Sequence, residues 1–164
     1  MSYPLRTVGQ TEAEASSALV QLSFRELSAR DWEPNAREVF LGESSPASMR
    51  AALAKPAYSV ASFDAERPVG FILMPRPSLL GMLFVHPRYL RRGIGRALWE
   101  QARAFIEETY PETKTVELNS NPYALKFYRS LGFVPISTEF IKGGCRATRM
   151  ACWLPARALG ADAF

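Results

Sequence analysis

The apolar positions change period in a definite order along the chain. Leu5-Arg6-Thr7-Val8 predicts a short first strand. Thr11-Glu12-Ala13-Glu14 has capping-box spacing with Thr11 as N-cap, and Ala15, Ala18, Leu19 and Leu22 then recur on one helical face. Beyond Phe24 the pattern blurs as far as Phe40, and Asp31-Trp32-Glu33-Pro34 predicts a loop and a short helix. Ser45-Pro46 is a helix start with Pro at the first helical position, leading through Met49 and Leu53.

From Tyr58 the period becomes that of strands. Tyr58 to Phe63 and Val69 to Met74 predict a hairpin turning across Asp64-Ala65-Glu66-Arg67-Pro68, and Leu79 to Val85 a further strand. A long amphipathic helix follows, with Ile94, Leu98, Ala102, Phe105 and Ile106 on one face. Val116 to Asn119 is a short strand, and Asn121-Pro122 repeats the cap signal for a helix reaching Leu131. Gly132 suits a left-handed C-cap, after which Phe133–Ile141 and Cys145–Leu154 close a hairpin across Gly143-Gly144. This order predicts a mixed α/β (α+β) fold in one domain over 1–154, with 155–164 as a C-terminal tail.

Composition narrows the class. The chain has 164 residues, enough to bury one sizeable core, and its 48% hydrophobic share suits a globular protein. No run approaches the ~20 apolar residues of a membrane helix, and the N-terminus has no targeting pattern, so a cytoplasmic location is expected. Cys145 and Cys152 fall on one predicted strand, too far apart to bridge, and their spacing is not that of a metal site. The net charge of +4 suggests an anionic ligand, and the basic residues cluster only at Arg88, Arg91, Arg92 and Arg96.

That cluster joins a strand to a helix. Gly93 and Gly95, one residue apart, let the backbone approach a ligand closely. The first N–H groups of the helix lack internal partners and carry the positive end of the dipole, so a phosphate is the natural occupant. Two phosphate motifs are excluded: the dinucleotide fingerprint needs a third Gly where Ala97-Leu98 stand, and the Walker ending is missing.

Val85-His86-Pro87 followed by Arg91-Arg92-Gly93-Ile94-Gly95-Arg96-Ala97-Leu98 resembles the acetyl-CoA signature of GNAT acetyltransferases, Gln/Arg-x-x-Gly-x-Gly/Ala. Asn121-Pro122-Tyr123-Ala124-Leu125-Lys126-Phe127-Tyr128, leading into Leu131-Gly132-Phe133, resembles the family's Asn…Phe-Tyr-x-x-Leu-Gly-Phe segment. The two motifs cover residues 83–133 in the family's order. The resemblance implies a mostly antiparallel central sheet, splayed between its fourth and fifth strands and flanked by helices on both faces. It implies acetyl-CoA as co-substrate and no metal. Leu83, Phe84 and Val85 would pair with the pantetheine arm, the amides of Arg91, Arg92, Gly93, Ile94, Gly95 and Arg96 would hold the pyrophosphate, and Asn121 would touch the cofactor arm. Tyr128 would lie near the thioester sulfur. One position departs from the pattern: Leu90 stands where the signature begins with Gln or Arg.

Acetyl transfer to an amine needs a neutral nucleophile, a polarised carbonyl and a proton for the departing thiolate. Tyr128 is the candidate donor, since a tyrosine stays protonated at neutral pH. Glu117 on the preceding strand is the candidate base, directly or through water, although a charged residue on a short strand is its plainer reading. His86, the only histidine, sits before Pro87 and reads as structural or solvent-exposed. Asp31, Glu33, Glu38 and Glu43 occupy the region that walls the acceptor site in the family, where they would bind a cationic substrate or simply be solvated.

The expected partner is a small-molecule or peptide amine, with protein N-terminal or lysine acetylation as the alternative. A nucleic-acid-binding module is disfavoured because no helix carries a basic face, and a non-catalytic CoA-binding module is disfavoured by Tyr128. No membrane partner is expected. Homodimers occur among relatives, but the sequence offers no self-association motif.

Overall fold

Six consecutive residues, Val69 to Met74, are buried because the strand carrying them is covered on both faces. The computed structural model describes residues 2–155, and the expected tail lies outside the described residues except for Pro155. The first sheet runs β1 (Leu5–Thr7), β2 (Tyr58–Asp64), β3 (Arg67–Met74) and β4 (Met82–Val85), all antiparallel. Alternate residues of β2 and β3 enter two cores. Val60, Ile72 and Met74 pack with Ile94, Leu98 and Ile106 of α4 (Ile94–Thr109). Ala61, Phe71 and Leu73 pack with Leu19 and Val20 of α1 (Ala13–Ser23) and Met49 of α3 (Pro46–Ala52).

The second sheet places β8 (Cys145–Trp153) between β5 (Thr115–Ser120) and β6 (Val134–Pro135), with β7 (Phe140–Lys142) also on β8. The sheets touch where Leu79 bridges Glu117 in parallel sense: the Leu80 N–H donates to the Glu117 carbonyl at 3.0 Å and the Glu117 N–H to the Ser78 carbonyl at 2.9 Å. Beyond that point β4 and β5 separate, which is the expected splay between the fourth and fifth strands.

Several local signals are realised as read. The Ser45 hydroxyl accepts from the Ser48 N–H at 3.2 Å. Gly132 ends α5 (Leu125–Ser130) at φ 100°, with the Phe133 N–H donating to the Tyr128 carbonyl at 3.1 Å. Gly143 and Gly144, at φ 59° and 82°, turn β7 into β8, and both cysteines are free.

Other expectations are corrected. The first helical cap is not Thr11; the Glu12 carboxylate reaches back to accept from the Gly9 N–H at 2.7 Å, and that bond holds its carboxyl below the ordinary value. The stretch read as a loop and a short helix holds a ten-residue helix, α2 (Pro34–Glu43), preceded by a π-helical turn over Phe24–Ser28 and a 3-10 turn over Ala29–Asp31. The strand expected from Leu79 is interrupted at Gly81, and the one expected over Phe133–Ile141 is split into β6 and β7. The β2–β3 turn is tighter than read, with Arg67 already in strand.

Tyr58 is an anomaly within the α4-side core. Its hydroxyl is buried with no partner among the described residues, and burial pushes the phenol up to about 12. A pKa raised on folding contributes stability that is complete below the unfolded value near 10 and lost as pH rises through about 12. Tyr58→Phe removes an unsatisfied hydroxyl, so thermal melts at pH 7 are expected to show an equal or higher Tm. The alkaline fall in Tm above about pH 10 should also shrink. A lower Tm at pH 7 contradicts this account of the hydroxyl.

Candidate functional site

The splay opens a cavity of about 820 Å³ between β4, the turn into α4, and α5. On β4, the His86 N–H donates to the Val69 carbonyl at 2.8 Å, so by antiparallel alternation Phe84 also faces β3. Leu83 and Val85 therefore present their main-chain groups to the open side. The Val85 carbonyl there accepts from the Ser23 hydroxyl at 2.9 Å, which ties α1 to the strand.

The turn after β4 is fixed by its own side chains. His86 Nδ1 accepts from the Arg88 N–H at 3.1 Å, which gives the histidine the structural place expected of it. Burial, with Arg67 and Arg88 nearby, lowers its pKa. The Tyr89 hydroxyl donates to Asp64 at 2.5 Å and accepts from Arg67 at 2.8 Å. Arg91 and Gly93 are left-handed, at φ 61° and 78°, on either side of Arg92. That alternation curls successive N–H groups toward one concavity. From Arg91 through Arg96 no main-chain N–H finds a protein acceptor among the described residues; the Ala97 N–H makes the first helical bond, to Gly93 at 3.0 Å. Gly95 is needed for space, because a Cβ there would stand 2.8 Å from the Phe127 ring.

The arginines divide. Arg92 lies over the Tyr89 ring at 4.7 Å, donates to the Tyr3 hydroxyl at 2.7 Å and to the Arg88 carbonyl at 3.1 Å, and does not line the cavity. Arg91 and Arg96 do line it. Arg96 donates to the Ser130 carbonyl at 3.1 Å, which joins the start of α4 to the end of α5.

Across the cavity, Asn121 Oδ1 accepts from the Ala124 N–H at 2.8 Å, so the cap read from the sequence organises a turn ahead of a helix that starts at Leu125. Tyr128 is 8% exposed, lines the cavity, and has no hydrogen-bond partner for its hydroxyl among the described residues. Burial raises its phenol far above the ordinary value. Leu83, Phe84, Val85, Gly93, Ile94 and Gly95 meet at the same cavity. Glu117 does not line it. Its backbone forms the bridge to Leu79 and Leu80, and its side chain shares a strand face with the cavity-lining Asn119, two residues nearer the closed end.

Asp31, Glu33, Glu38 and Glu43 do not line the cavity either. The far wall comes from residues that no sequence pattern groups together: Ser28, Trp32 and Phe40 from the α1–α2 region, and Lys142 and Arg146 from β7 and β8. Trp32 packs edge-on to Phe24 and Phe40 at 5.0 and 5.4 Å, and a bridge pairs it with Cys145.

A family model described as an acetyltransferase (GNAT) domain matches residues 26–154, most of the chain. This protein belongs to the GNAT acetyltransferase family. A peptidyl-lysine N-acetyltransferase of Escherichia coli, YiaC, is 31% identical over 65 residues, which is 40% of this chain and 42% of the relative. A UPF0039 protein of Schizosaccharomyces pombe is 34% identical over a stretch of the same length, so each match spans less than half of the relative. Among solved structures, a GCN5-related N-acetyltransferase from Rhodopseudomonas palustris superimposes with a TM-score of 0.81 at 22% identity, covering 94% of this chain and 97% of that one. The PaiA N-acetyltransferase from Thermoplasma acidophilum, solved with coenzyme A, gives 0.78 at 17% identity, covering 94% and 100%. These likenesses establish the GNAT fold over nearly the whole chain.

Proposed function

We propose that this protein transfers the acetyl group of acetyl-CoA directly to a primary amine of a small molecule or peptide. The observation that carries the reading is the row of unpartnered N–H groups from Arg91 to Arg96, set beside the open edge of β4 and facing a cavity that contains Tyr128. Those amides suit a pyrophosphate, because the helix dipole and the curl of the turn both favour an anion there. Leu90 in place of the usual Gln or Arg is compatible with this role, since main-chain groups supply the donors. Leu83 and Val85 offer main-chain groups to an amide-bearing arm, Phe84 turns toward β3, and Asn121 stands where the arm would pass.

In this reading Tyr128 protonates the leaving sulfur. Its raised pKa keeps it a proton donor across the working pH range. Glu117 enters only through a water chain reaching past Asn119. A Glu117→Gln enzyme should then show an altered pH–rate profile, and an unchanged profile removes Glu117 from the mechanism. The same reading places one catalytic domain over 1–154 in the cytoplasm, acting without a metal and on neither nucleic acid nor membrane. Assembly as a homodimer is open to light scattering.

Release of free CoA thiol is the test. Acceptor-dependent release from acetyl-CoA with at least one primary amine supports the reading, and its absence across small amines and peptides contradicts it. The matched relative named as a peptidyl-lysine N-acetyltransferase supports the alternative of lysine acetylation. A lysine peptide therefore belongs in the panel, and a strong preference for it would select that alternative.

A further inference from the structure

Every charged side chain that lines the cavity is a cation: Arg91, Arg96, Lys142 and Arg146, with no aspartate or glutamate among the described lining residues. The two arginines at the phosphate turn fit the cofactor reading, whereas Lys142 and Arg146 come from the β7–β8 hairpin on the far wall. There Cys145 pairs with both Lys142 and Trp32, so the hairpin and the aromatic wall are one surface. Arg146 is occupied by Glu139, with contacts of 2.7 and 3.1 Å to one carboxylate oxygen. Lys142 has no carboxylate within ion-pair distance among the described residues. Lys142 therefore lines the cavity without an ion-pair partner among the described residues. The Trp32 indole N–H on the same wall is buried with no partner among the described residues.

We infer that the acceptor is an amine that also carries a carboxylate, of free-amino-acid size, with Lys142 as the residue that recognises the carboxylate. The inference rests on the acetyltransferase reading and narrows its substrate. A polycationic acceptor would meet the unpaired Lys142 as a like charge, with Arg146 already paired to Glu139, and this costs affinity. A carboxylate meets Lys142 as an opposite charge. The cationic surroundings also favour the neutral form of the acceptor amine. Its nitrogen then forms the new bond to the acetyl carbon as the carbon–sulfur bond breaks. The amine gives up one proton and the departing sulfur takes one, leaving an N-acetyl amino acid and free CoA thiol. The lack of a lining carboxylate base is consistent with this, because the site itself raises the fraction of free amine.

The test uses the full chain with saturating acetyl-CoA and follows thiol release from matched pairs: each standard amino acid beside the amine left when its carboxylate is removed, such as L-phenylalanine with phenethylamine and L-lysine with cadaverine. For at least one pair, kcat/KM is expected to favour the carboxylate-bearing member by about tenfold or more. Lys142→Gln should raise KM for that amino acid about tenfold with little change in kcat, the signature of lost binding, and Lys142→Arg should largely restore it. Equal or better turnover of the decarboxylated amine in every pair overturns the inference, as does failure of every amino acid. A Glu/Asp-rich peptide outpacing every free amino acid also overturns it. So does a Lys142→Gln effect confined to the KM of acetyl-CoA, which would assign Lys142 to the cofactor. These failures leave acetyl transfer intact. That reading falls separately, if the protein releases thiol with no amine of any kind or fails to bind acetyl-CoA.

Discussion

Gly95→Asp is expected to weaken acetyl-CoA binding by more than a hundredfold while the protein stays folded. Two effects act together at this position. The new Cβ would meet the Phe127 ring at 2.8 Å, which pushes one wall of the cavity. The carboxylate would then stand among the free N–H groups and compete for the donors that a pyrophosphate needs. At ~4 Å and an effective dielectric near 20, two like charges repel by about 4 kcal/mol, enough for the predicted loss. A carboxylate in the first helical turn is itself favourable to the helix dipole, which offsets part of the displacement of Phe127. Tm and titration measured on the same sample separate the effects: a folded variant that binds normally contradicts the assignment of the turn. Gly95→Asp in a Phe127→Ala background removes the clash and leaves the charge, so loss of binding there isolates the electrostatic part.

Tyr128→Phe is expected to lower kcat by about a hundredfold, within the usual range for loss of a general acid, with little change in the KM for acetyl-CoA. The ring already packs against Phe133 at 5.7 Å and Phe127 at 5.4 Å, so phenylalanine should keep the packing. Only the hydroxyl is lost, and it has no protein partner to leave stranded among the described residues. The pH dependence supplies a second check. Because burial raises the Tyr128 phenol well above its ordinary value, the wild-type rate should rise as the acceptor amine deprotonates and show no descending limb from this group below about pH 10. A Tyr128→Phe enzyme with wild-type kcat, or a wild-type rate falling near neutral pH, removes Tyr128 as the proton donor.

The parts of the fold that are legible in the sequence are those set by a few adjacent residues. Ser45 before Pro46, Gly132 after Leu131 and the Gly143-Gly144 pair each form a cap or turn through their own backbone chemistry. The Arg/Gly turn belongs with them, since its strand, its glycines and the following amphipathic helix are contiguous. The extent of helix α2 is hidden in the sequence because it carries almost no apolar stripe, with Ala36 its only fully buried residue. Its place is set by contacts with the hairpin, as when the Glu33 N–H donates to the Gly144 carbonyl at 3.0 Å. Thr11 has the spacing of a cap without the bond, because Gly9 has no side chain to announce its own part, and the contact runs from its N–H to Glu12.

The candidate site is legible on one side only. Tyr128 and the signature turn belong to two motifs in one continuous stretch of the chain. Lys142 and Arg146 reach the same cavity from the closing hairpin, and Trp32 and Phe40 from near the start of the chain. No local spacing links those four. The acidic residues between Asp31 and Glu43 suggest an acceptor wall by where they fall in sequence, yet none of the four lines the cavity. Arg92 shows the converse, a signature residue whose side chain is held by Tyr3 and Tyr89 while only its amide remains at the turn.

Calorimetric titration of acetyl-CoA into the wild-type protein tests the central claim most directly. Saturable one-site binding in the micromolar range or tighter, weakened by salt and absent in folded Gly95→Asp, is the predicted result. A folded wild-type protein that takes up no acetyl-CoA at millimolar concentration would contradict it, and the Arg91–Arg96 turn would then be only a way of joining β4 to α4.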